Sequence, residues 1–352
     1  MTFDEARALF PVLERIAYLN AGTFGPLPRP VAEAMTAGIA HDLDEGRTGL
    51  PYFEETIAAR DELRGAFAAL VHAEREQVAL TSSTSEGCAI VLRGLGLEAG
   101  DDIVTTTDEH FGLLGPIGAS GATVVVVPPD PERILAAVTP RTKLVATSQV
   151  LWTTGAVLPL SDLRERTGVP VLADGAQSVG AIPATAEGVD FLTISGQKWL
   201  CGPDATGALV VGDPERLATV SPSYFAQTRY EPDGSFEPHA SARRFDTGWW
   251  APGVLRGMLA AIALRPDWAH ERAAEAASRC RMLLEGRVEL LTAPVPATLV
   301  AFRPEEEPAA VVERLHAAGV HVRELPGRGI VRASCGWWTS DDDLDRLVAA
   351  LG

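Results

Sequence analysis

Short apolar runs alternate with longer amphipathic stretches along residues 78–211 of the chain. Runs of apolar and β-branched residues predict seven strands, over Val78–Ser83, Ile103–Thr107, Thr123–Pro128, Lys143–Ser148, Val171–Ala173, Phe191–Ser195 and Ala208–Val211. The segments between them favour helices, such as Glu86–Arg93 and Pro131–Ala137. Because strands that alternate with helices form mainly parallel sheets, we predict an α/β domain built on one seven-stranded sheet.

The pattern changes after residue 250. Gly253–Leu290 is helical with an interruption at Pro266, and the remaining segments predict a small α+β domain: strands over Ala297–Phe302, Val320–Val322 and Gly329–Ala333, and helices over Pro308–Ala318 and Ser340–Ala350. We assign residues 1–15 to an N-terminal segment, 16–250 to a large domain and 251–352 to a small C-terminal domain. The polar stretch Tyr230–Ala242, which contains Pro and Gly, predicts a loop.

The charge balance excludes several classes of partner. Thirty Lys and Arg against 47 Asp and Glu give a net charge of −17, which disfavours binding to nucleic acids and anionic membranes. No apolar run reaches the roughly 20 residues of a membrane helix, and the start MTFDEARALF does not resemble a secretory signal. Four scattered cysteines are typical of reduced thiols in the cytoplasm, and the seven histidines lack metal-ligand spacing, so we expect no metal site.

The cations are almost all arginine, because Lys143 and Lys198 are the only lysines among the 30. Lys198 follows the predicted buried strand Phe191–Ser195. A partly desolvated lysine can form a Schiff base, whereas an arginine cannot at ordinary pH. Chance survival is a sufficient explanation for Lys143, which lies in a plain Arg-Thr-Lys turn. For Lys198 we favour a role as a nucleophile over chance survival.

Three other strand ends carry residues suited to chemistry. Thr84 and Ser85 open a helix whose free N–H groups can bind phosphate, although in isolation the segment favours a simple Ser/Thr N-cap with Glu86 in the first turn. His110 can stack on a planar ligand or shuttle protons, or it can be a capping or surface residue. Asp174 ends an apolar run, where a buried carboxylate requires a partner, either an arginine or a cationic ligand such as a protonated pyridine nitrogen. Together with Lys198 these are the groups that pyridoxal 5′-phosphate (PLP) needs.

Two segments, Ala173–Pro183 and Thr193–Pro203, resemble the class V aminotransferase family, which includes cysteine desulfurases and isopenicillin N epimerase-like proteins. The resemblance extends from Tyr18 to Trp338. It implies the PLP-dependent fold type I, a homodimer and a small-molecule amino-acid substrate. It also implies that Lys198 is the Schiff-base lysine, that Asp174 contacts the pyridine nitrogen and that His110 stacks on the ring.

The resemblance implies roles for further residues. The phosphate would be held by Thr84, Ser85, Ser195 and Gln197; the ring oxygen would lie near Gln177 and Gln149; the substrate would meet Arg332, through its α-carboxylate, and Asn20. Thr247 would reach the phosphate site of a neighbouring subunit. The pairs Trp249–Trp250 and Trp337–Trp338 either face the substrate entrance or serve in packing or a dimer contact.

The resemblance leaves the reaction open. Between Gly319 and Arg332 there is no cysteine, and Cys335 follows the arginine, which disfavours a persulfide relay of the desulfurase type. We expect transamination first, then β-elimination such as C–S cleavage, then epimerisation; each begins with transfer of a substrate proton to Lys198. A protein of this fold that binds PLP without catalysis is the remaining alternative, which the presence of Asp174, Lys198 and Arg332 argues against.

Overall fold

A computed structural model describes residues 1–292 and 297–352 of the chain. Its first elements are helix α1 (Phe3–Arg7), strand β1 (Ala17–Tyr18), and helices α2 (Arg29–Asp44) and α3 (Gly49–Leu70). In the described residues, no helix is long and apolar enough to span a bilayer.

The centre of the protein is a seven-stranded sheet, as predicted. Its strands are β2 (Val78–Thr81), β3 (Asp102–Thr106), β4 (Thr123–Val127), β5 (Thr142–Ser148), β6 (Val171–Asp174), β7 (Phe191–Ser195) and β8 (Gly207–Val211). They lie in the order β2-β8-β7-β6-β5-β3-β4, in which β8 is antiparallel to both neighbours and the other four pairs are parallel. The α/β fold and the mainly parallel sheet are therefore confirmed.

Helices connect the strands and cover both faces of the sheet. They are α4 (Thr84–Gly94), α5 (Phe111–Gly118), α6 (Pro131–Ala137) and α7 (Leu160–Thr167). Successive side chains of a strand point to opposite faces, so Val145 and Leu144 of β5 belong to two different buried apolar clusters. Because the five strands β3, β4, β5, β6 and β7 run parallel, the loops that follow them meet at one edge of the sheet.

The segment predicted as a polar loop over Tyr230–Ala242 contains regular structure, so this prediction is wrong in part. Strands β9 (Gln227–Tyr230) and β10 (Phe236–Pro238) form an antiparallel hairpin. Residues 228–230 of β9 are exposed, and neither strand buries an apolar face. A strand of this kind lacks the alternation of apolar and polar residues by which a sequence reveals it.

The C-terminal part is an α+β unit, as predicted. Its elements are α8 (Pro252–Ala263), α9 (Ala269–Leu284), β11 (Glu289–Leu290), β12 (Leu299–Arg303), α10 (Pro308–Ala317), β13 (Val320–His321), β14 (Arg323–Leu325), β15 (Ile330–Ser334) and α11 (Asp341–Leu351). The break at Pro266 separates α8 from α9, as predicted. The last two residues of the stretch predicted as helical form strand β11 instead. Strands β11-β12-β15-β14 form an antiparallel sheet.

The N-terminal segment packs on this C-terminal unit. Strand β1 pairs in parallel with β13, and Arg7 donates to the Asp343 carboxylate at 2.8 Å. The Phe10 ring lies 5.3 Å from the ring of Trp337, and both Trp337 and Trp338 are buried. Of the two alternatives for this tryptophan pair, packing is therefore the one observed. The boundaries assigned to the domains stay a prediction.

Candidate active site

A cavity of about 130 Å³ opens at the edge of the sheet where β2, β3, β5, β6 and β7 end. It is lined by Ser83, Thr84, Ser85, His110, Ser148, Trp152, Asp174, Ala176, Gln177, Ser195, Gln197 and Lys198. Most of the predicted site residues thus come together, although they are spread over more than a hundred positions. Sequence reasoning missed Ser83, Ser148, Ala176 and Trp152. Ser83 and Ser148 are at the ends of predicted strands, and Ala176 lies in the segment Ala173–Pro183. Nothing in the sequence singled out Trp152.

Lys198 lies three residues after β7 and is partly buried. Burial is the largest cause that lowers the pKa of its amine, to about 8; Asp174 opposes the change, and the nearby charges of Arg332 and Arg323 contribute to it. A large share of the amine is therefore neutral at mildly basic pH, which a nucleophile requires. Lys143, in contrast, is exposed and lies 3.9 Å from Asp101.

The lowered pKa of Lys198 predicts how the cofactor-free protein captures PLP. Only the neutral amine attacks an aldehyde, so the rate of capture should rise with pH and level off above about pH 8. For an unperturbed lysine the rise would continue to about pH 10.4. Stopped-flow absorbance with excess PLP measures this profile. A midpoint near that of free lysine would show that the amine is solvated.

Asp174, at the end of β6, is 4% exposed. Its Oδ1 accepts hydrogen bonds from the Ala176 N–H at 3.0 Å and from the Thr193 hydroxyl at 3.3 Å. Within the part of the chain that the structure describes, no arginine, lysine or histidine pairs with this carboxylate. Since a buried carboxylate needs compensation, the arginine alternative is removed and a cationic ligand group remains.

The start of α4 forms the end of the cavity expected to hold a phosphate. Ser83 is the N-cap, because its Oγ accepts from the Glu86 N–H at 3.2 Å. Thr84 and Ser85 are therefore not needed as caps, and their hydroxyls and N–H groups are left at the positive end of the helix dipole. Ser195 donates to the Gln197 side-chain oxygen at 2.9 Å at the same end. This arrangement suits an anion.

His110 caps α5 through its ring. Nδ1 accepts a hydrogen bond from the Gly112 N–H at 3.0 Å, so the proton of the neutral imidazole is on Nε2. Burial and then the charge of Lys198 lower the pKa of His110, which favours this neutral form. The preceding Glu109 is buried and accepts hydrogen bonds from Thr106, Thr147 and Ser148. These bonds tie the end of β3 to the end of β5 and so position the imidazole.

The predicted glutamines differ in their surroundings. Gln177 donates to the Gly22 carbonyl at 2.9 Å and accepts from the Trp199 indole at 3.0 Å, so most of its capacity is engaged by the protein. Gln149 does not line the cavity, and its buried Oε1 has no partner in the described ranges. Their contacts with a ring oxygen stay predictions.

Thr247 lies outside this cavity. Its N–H and hydroxyl both donate to the Leu80 carbonyl, and it lines a separate surface pocket together with Arg93 and Arg244. The position of Thr247 within its own chain does not test the predicted contact with the phosphate site of a neighbouring subunit. That role and the homodimer stay predictions.

Arg332 lies on β15 with only 1% of its surface exposed. Its Nη1 donates to the Trp152 carbonyl at 2.7 Å, and its buried Nε has no partner among residues 1–292 and 297–352. Gly22 is required beside it, since a Cβ there would come within 2.5 Å of Nη2. A guanidinium buried without a carboxylate is costly, which favours the predicted contact with a substrate carboxylate. That contact stays a prediction.

A second arginine, which sequence reasoning missed, lies directly opposite. Arg323 of β14 is the register partner of Arg332. Its Nη1 donates to the Thr23 hydroxyl at 2.9 Å, and Thr23 in turn donates to the Asn20 side chain at 2.8 Å. Burial and then the charge of Arg323 lower the pKa of Arg332 to about 9. Like charges opposite each other in a sheet are destabilising, so this pair favours a ligand with more than one anionic group.

The residues present fit PLP. The unpaired Asp174 suits a protonated pyridine nitrogen, the start of α4 suits a phosphate, and the amine of Lys198 suits an aldehyde. The His110 ring is available for stacking at the same cavity. Each requirement of the cofactor thus has a matching group at this cavity.

Comparisons with known proteins agree with this assignment. The family model for aminotransferase class-V matches residues 17–347. Isopenicillin N epimerase from Streptomyces clavuligerus is 29% identical over 99% of this chain and 97% of its own length, and a probable cysteine desulfurase from Pseudomonas aeruginosa is 28% identical over 98% and 96%. A structure of a C-DES mutant with glycine covalently linked to the PLP cofactor has a TM-score of 0.91 and 27% identity and covers 98% of each chain. A second C-DES structure, the cystine C–S lyase with its product cysteine persulfide, has a TM-score of 0.90, 27% identity and coverage of 97% and 98%. The chain therefore belongs to the aminotransferase class-V family and is a PLP-dependent enzyme with fold type I.

Proposed function

We propose that this enzyme is a C–S lyase whose substrate is an amino acid with two carboxylates, such as cystine. The pair of guanidinium groups, Arg332 and Arg323, carries the proposal, because both lie close enough to influence Lys198 and neither has a carboxylate partner in the described ranges. From the sequence alone we expect transamination first. Similarity to a cystine C–S lyase changes this order, and the second cation, Arg323, suits a substrate with two carboxylates such as cystine.

The chain's own residues have distinct tasks in this reaction. Arg332 would hold the α-carboxylate and orient the Cα–H bond. Lys198 Nζ, with its lowered pKa, would take the α-proton. PLP, when bound, supplies an electron sink for the pair left on Cα.

The bond changes balance without an external oxidant or reductant. The pair on Cα forms the Cα–Cβ double bond while the Cβ–S bond breaks, and sulfur leaves with its electrons as cysteine persulfide. Water then hydrolyses the remaining unsaturated amine. In total, cystine and water give pyruvate, ammonia and cysteine persulfide.

The burial of the four cysteines argues against a persulfide relay through a thiol of the protein. Cys88, Cys201, Cys280 and Cys335 are each 2% exposed or less. Burial raises the pKa of the Cys88 and Cys201 thiols, so little reactive thiolate is present. A lyase that releases a small persulfide needs no such thiol.

Two other reactions share the site. The arginine pair equally suits transamination of a dicarboxylic amino acid, and similarity to an epimerase keeps inversion at Cα as a third outcome. With cystine, formation of pyruvate and persulfide supports the lyase. Oxo-acid formation from aspartate or glutamate, with conversion of the bound cofactor to its amine form, would support transamination instead.

Substitution of the two arginines should separate their roles. Arg323→Ala should raise KM for cystine about 10- to 100-fold, because a charge-assisted hydrogen bond contributes about 1.5–3 kcal/mol, and should leave KM for β-chloroalanine unchanged. β-Chloroalanine carries one carboxylate and a leaving group, so it needs only Arg332. Arg332→Ala should raise KM for both.

Steady-state pyruvate assays measure both effects, and the PLP absorbance band reports whether each variant keeps its cofactor. An equal effect of Arg323→Ala on the two substrates would contradict a second carboxylate site.

A further inference from the structure

We propose that Thr23 is a positioning residue for substrate specificity. Its hydroxyl, aligned by Asn20, holds the Arg323 guanidinium where it can bind the second carboxylate of the substrate. This inference rests on the proposed function, because it concerns the same substrate and the same arginine. Thr23 lies in the turn that connects β1 to α2.

The backbone of this turn is closed by hydrogen bonds to Asn20. The N–H groups of Thr23 and Phe24 both donate to the Asn20 carbonyl, at 2.9 and 3.2 Å. Asn20 also forms a parallel bridge with Ser334 of β15. Because Arg332 lies on the same strand, the turn is fixed relative to the arginine expected to bind the α-carboxylate.

The Thr23 hydroxyl is committed as an acceptor toward Arg323. A hydroxyl has one proton, and Thr23 donates it to the Asn20 side-chain oxygen at 2.8 Å. The lone pairs of Oγ1 are then free, and Arg323 Nη1 donates to this oxygen at 2.9 Å. A guanidinium can only donate, so it requires such an acceptor. Asn20 thus acts on Arg323 through Thr23.

Arg323 depends on this contact for its orientation. It is the hydrogen bond that its side chain makes within residues 1–292 and 297–352, where no carboxylate pairs with it. Its partner across the sheet, Arg332, carries the same charge and repels it. Arg323 is partly exposed, so without Thr23 its long side chain could turn into solvent and regain rotamer freedom.

The same turn also touches the cavity and the first arginine. The Gly22 carbonyl accepts from Gln177 Nε2 at 2.9 Å, and Gln177 lines the cavity. A Cβ on Gly22 would come within 2.5 Å of Arg332 Nη2. The turn therefore fixes Arg323 relative to both the cavity and Arg332, through adjacent residues.

Arg323 lies within electrostatic reach of the cavity. Burial is the main cause of the lowered pKa values of Lys198 and His110, and the charge of Arg323 contributes to both. Neither Asn20 nor Thr23 is among the described residues that line the cavity. We therefore expect them to act through the arginine rather than by touching the substrate.

Binding of unreactive analogues to the PLP-loaded enzyme tests this inference. α-Methyl amino acids lack the proton that Lys198 would remove, so they bind without turnover. α-Methyl-S-carboxymethylcysteine carries a second carboxylate, whereas α-methyl-S-propylcysteine does not. Thr23→Val keeps the size of the side chain and should weaken binding of the first analogue about tenfold, which equals about 1.4 kcal/mol, without affecting the second. Thr23→Ser should restore the affinity. Changes in PLP absorbance during titration give the dissociation constants.

A double-mutant cycle separates positioning from a general structural role. In the Arg323→Ala background, Thr23→Val should cause no further loss, because the residue through which it acts is absent. Asn20→Leu removes the acceptor of the Thr23 proton and should reproduce the selective loss, so the test does not depend on the folding of one variant. Thr36→Val is the matched control, since its hydroxyl bonds to the Ala32 carbonyl in α2, and it should change neither constant.

Equal weakening of both analogues by Thr23→Val, or the same loss in the Arg323→Ala background, would overturn the inference. If Arg323→Ala binds both analogues with full affinity, the second carboxylate site fails and the role of Thr23 fails with it. If only Thr23→Val does so, the positioning role alone fails. If cystine yields no pyruvate while the selective loss persists, the lyase function fails and the role of Thr23 stands.

Discussion

Lys198→Ala is expected to abolish covalent attachment of PLP and to lower kcat by about 10³-fold or more, because in the proposed mechanism one amine serves both as the attachment point and as the base for the α-proton. Borohydride reduction of the holoenzyme followed by mass spectrometry measures the attachment. The unsubstituted protein should carry one reduced PLP on the peptide that contains Lys198. The variant should carry none and should lose the yellow absorbance band.

The composition of the chain offers a close control for this experiment. Lys143 is the only other lysine, and its side chain is 50% exposed beside Asp101. Lys143→Ala should therefore retain the reduced PLP, the absorbance band and the full kcat. A reduced adduct on Lys143, or persistence of the adduct in Lys198→Ala, would remove Lys198 from its assigned role.

Asp174→Asn is expected to lower kcat by about 10²- to 10³-fold while PLP stays attached to Lys198. The substitution keeps the size of the side chain and its contact with the Thr193 hydroxyl, but it removes the negative charge that would keep a pyridine nitrogen protonated. The electron pair left on Cα would then lack the stabilisation that a positive charge on the pyridine nitrogen supplies. Single-turnover kinetics with cystine separate this loss from any change in substrate binding.

Asp102→Asn is the matched control, because Asp102 is also a buried carboxylate of the central sheet, 1% exposed. It lies at the start of β3, at the other end of the strand from the cavity, and accepts from Arg141 at 3.1 Å. This variant can lose stability, but its kcat should equal that of the unsubstituted enzyme. Undiminished kcat in Asp174→Asn would show that the carboxylate does not serve the cofactor.

The alternation of strands and helices was readable from the sequence, because a run of apolar and β-branched residues marks each of the seven strands, including the partly exposed edge strand β4. The exposed hairpin β9–β10 was not, since its strands bury no apolar face. The packing of the N-terminal segment on the C-terminal unit was also not readable. It depends on contacts such as Arg7 with Asp343, which are 336 positions apart and leave no periodic signal.

By itself, the sequence determined the cofactor and the residues that are candidates for holding it. Lys198 stands out in an arginine-dominated chain, and Asp174 and His110 follow strands whose ends must converge, so local pattern and topology were sufficient. Only the tertiary structure decided what surrounds them. The lack of an ion-pair partner for Asp174 among the described residues and the position of Arg323 opposite Arg332 are relations between distant residues. Packing in three dimensions decides which residues pair across strands and which atoms are buried. The substrate and the reaction that we propose depend on these contacts.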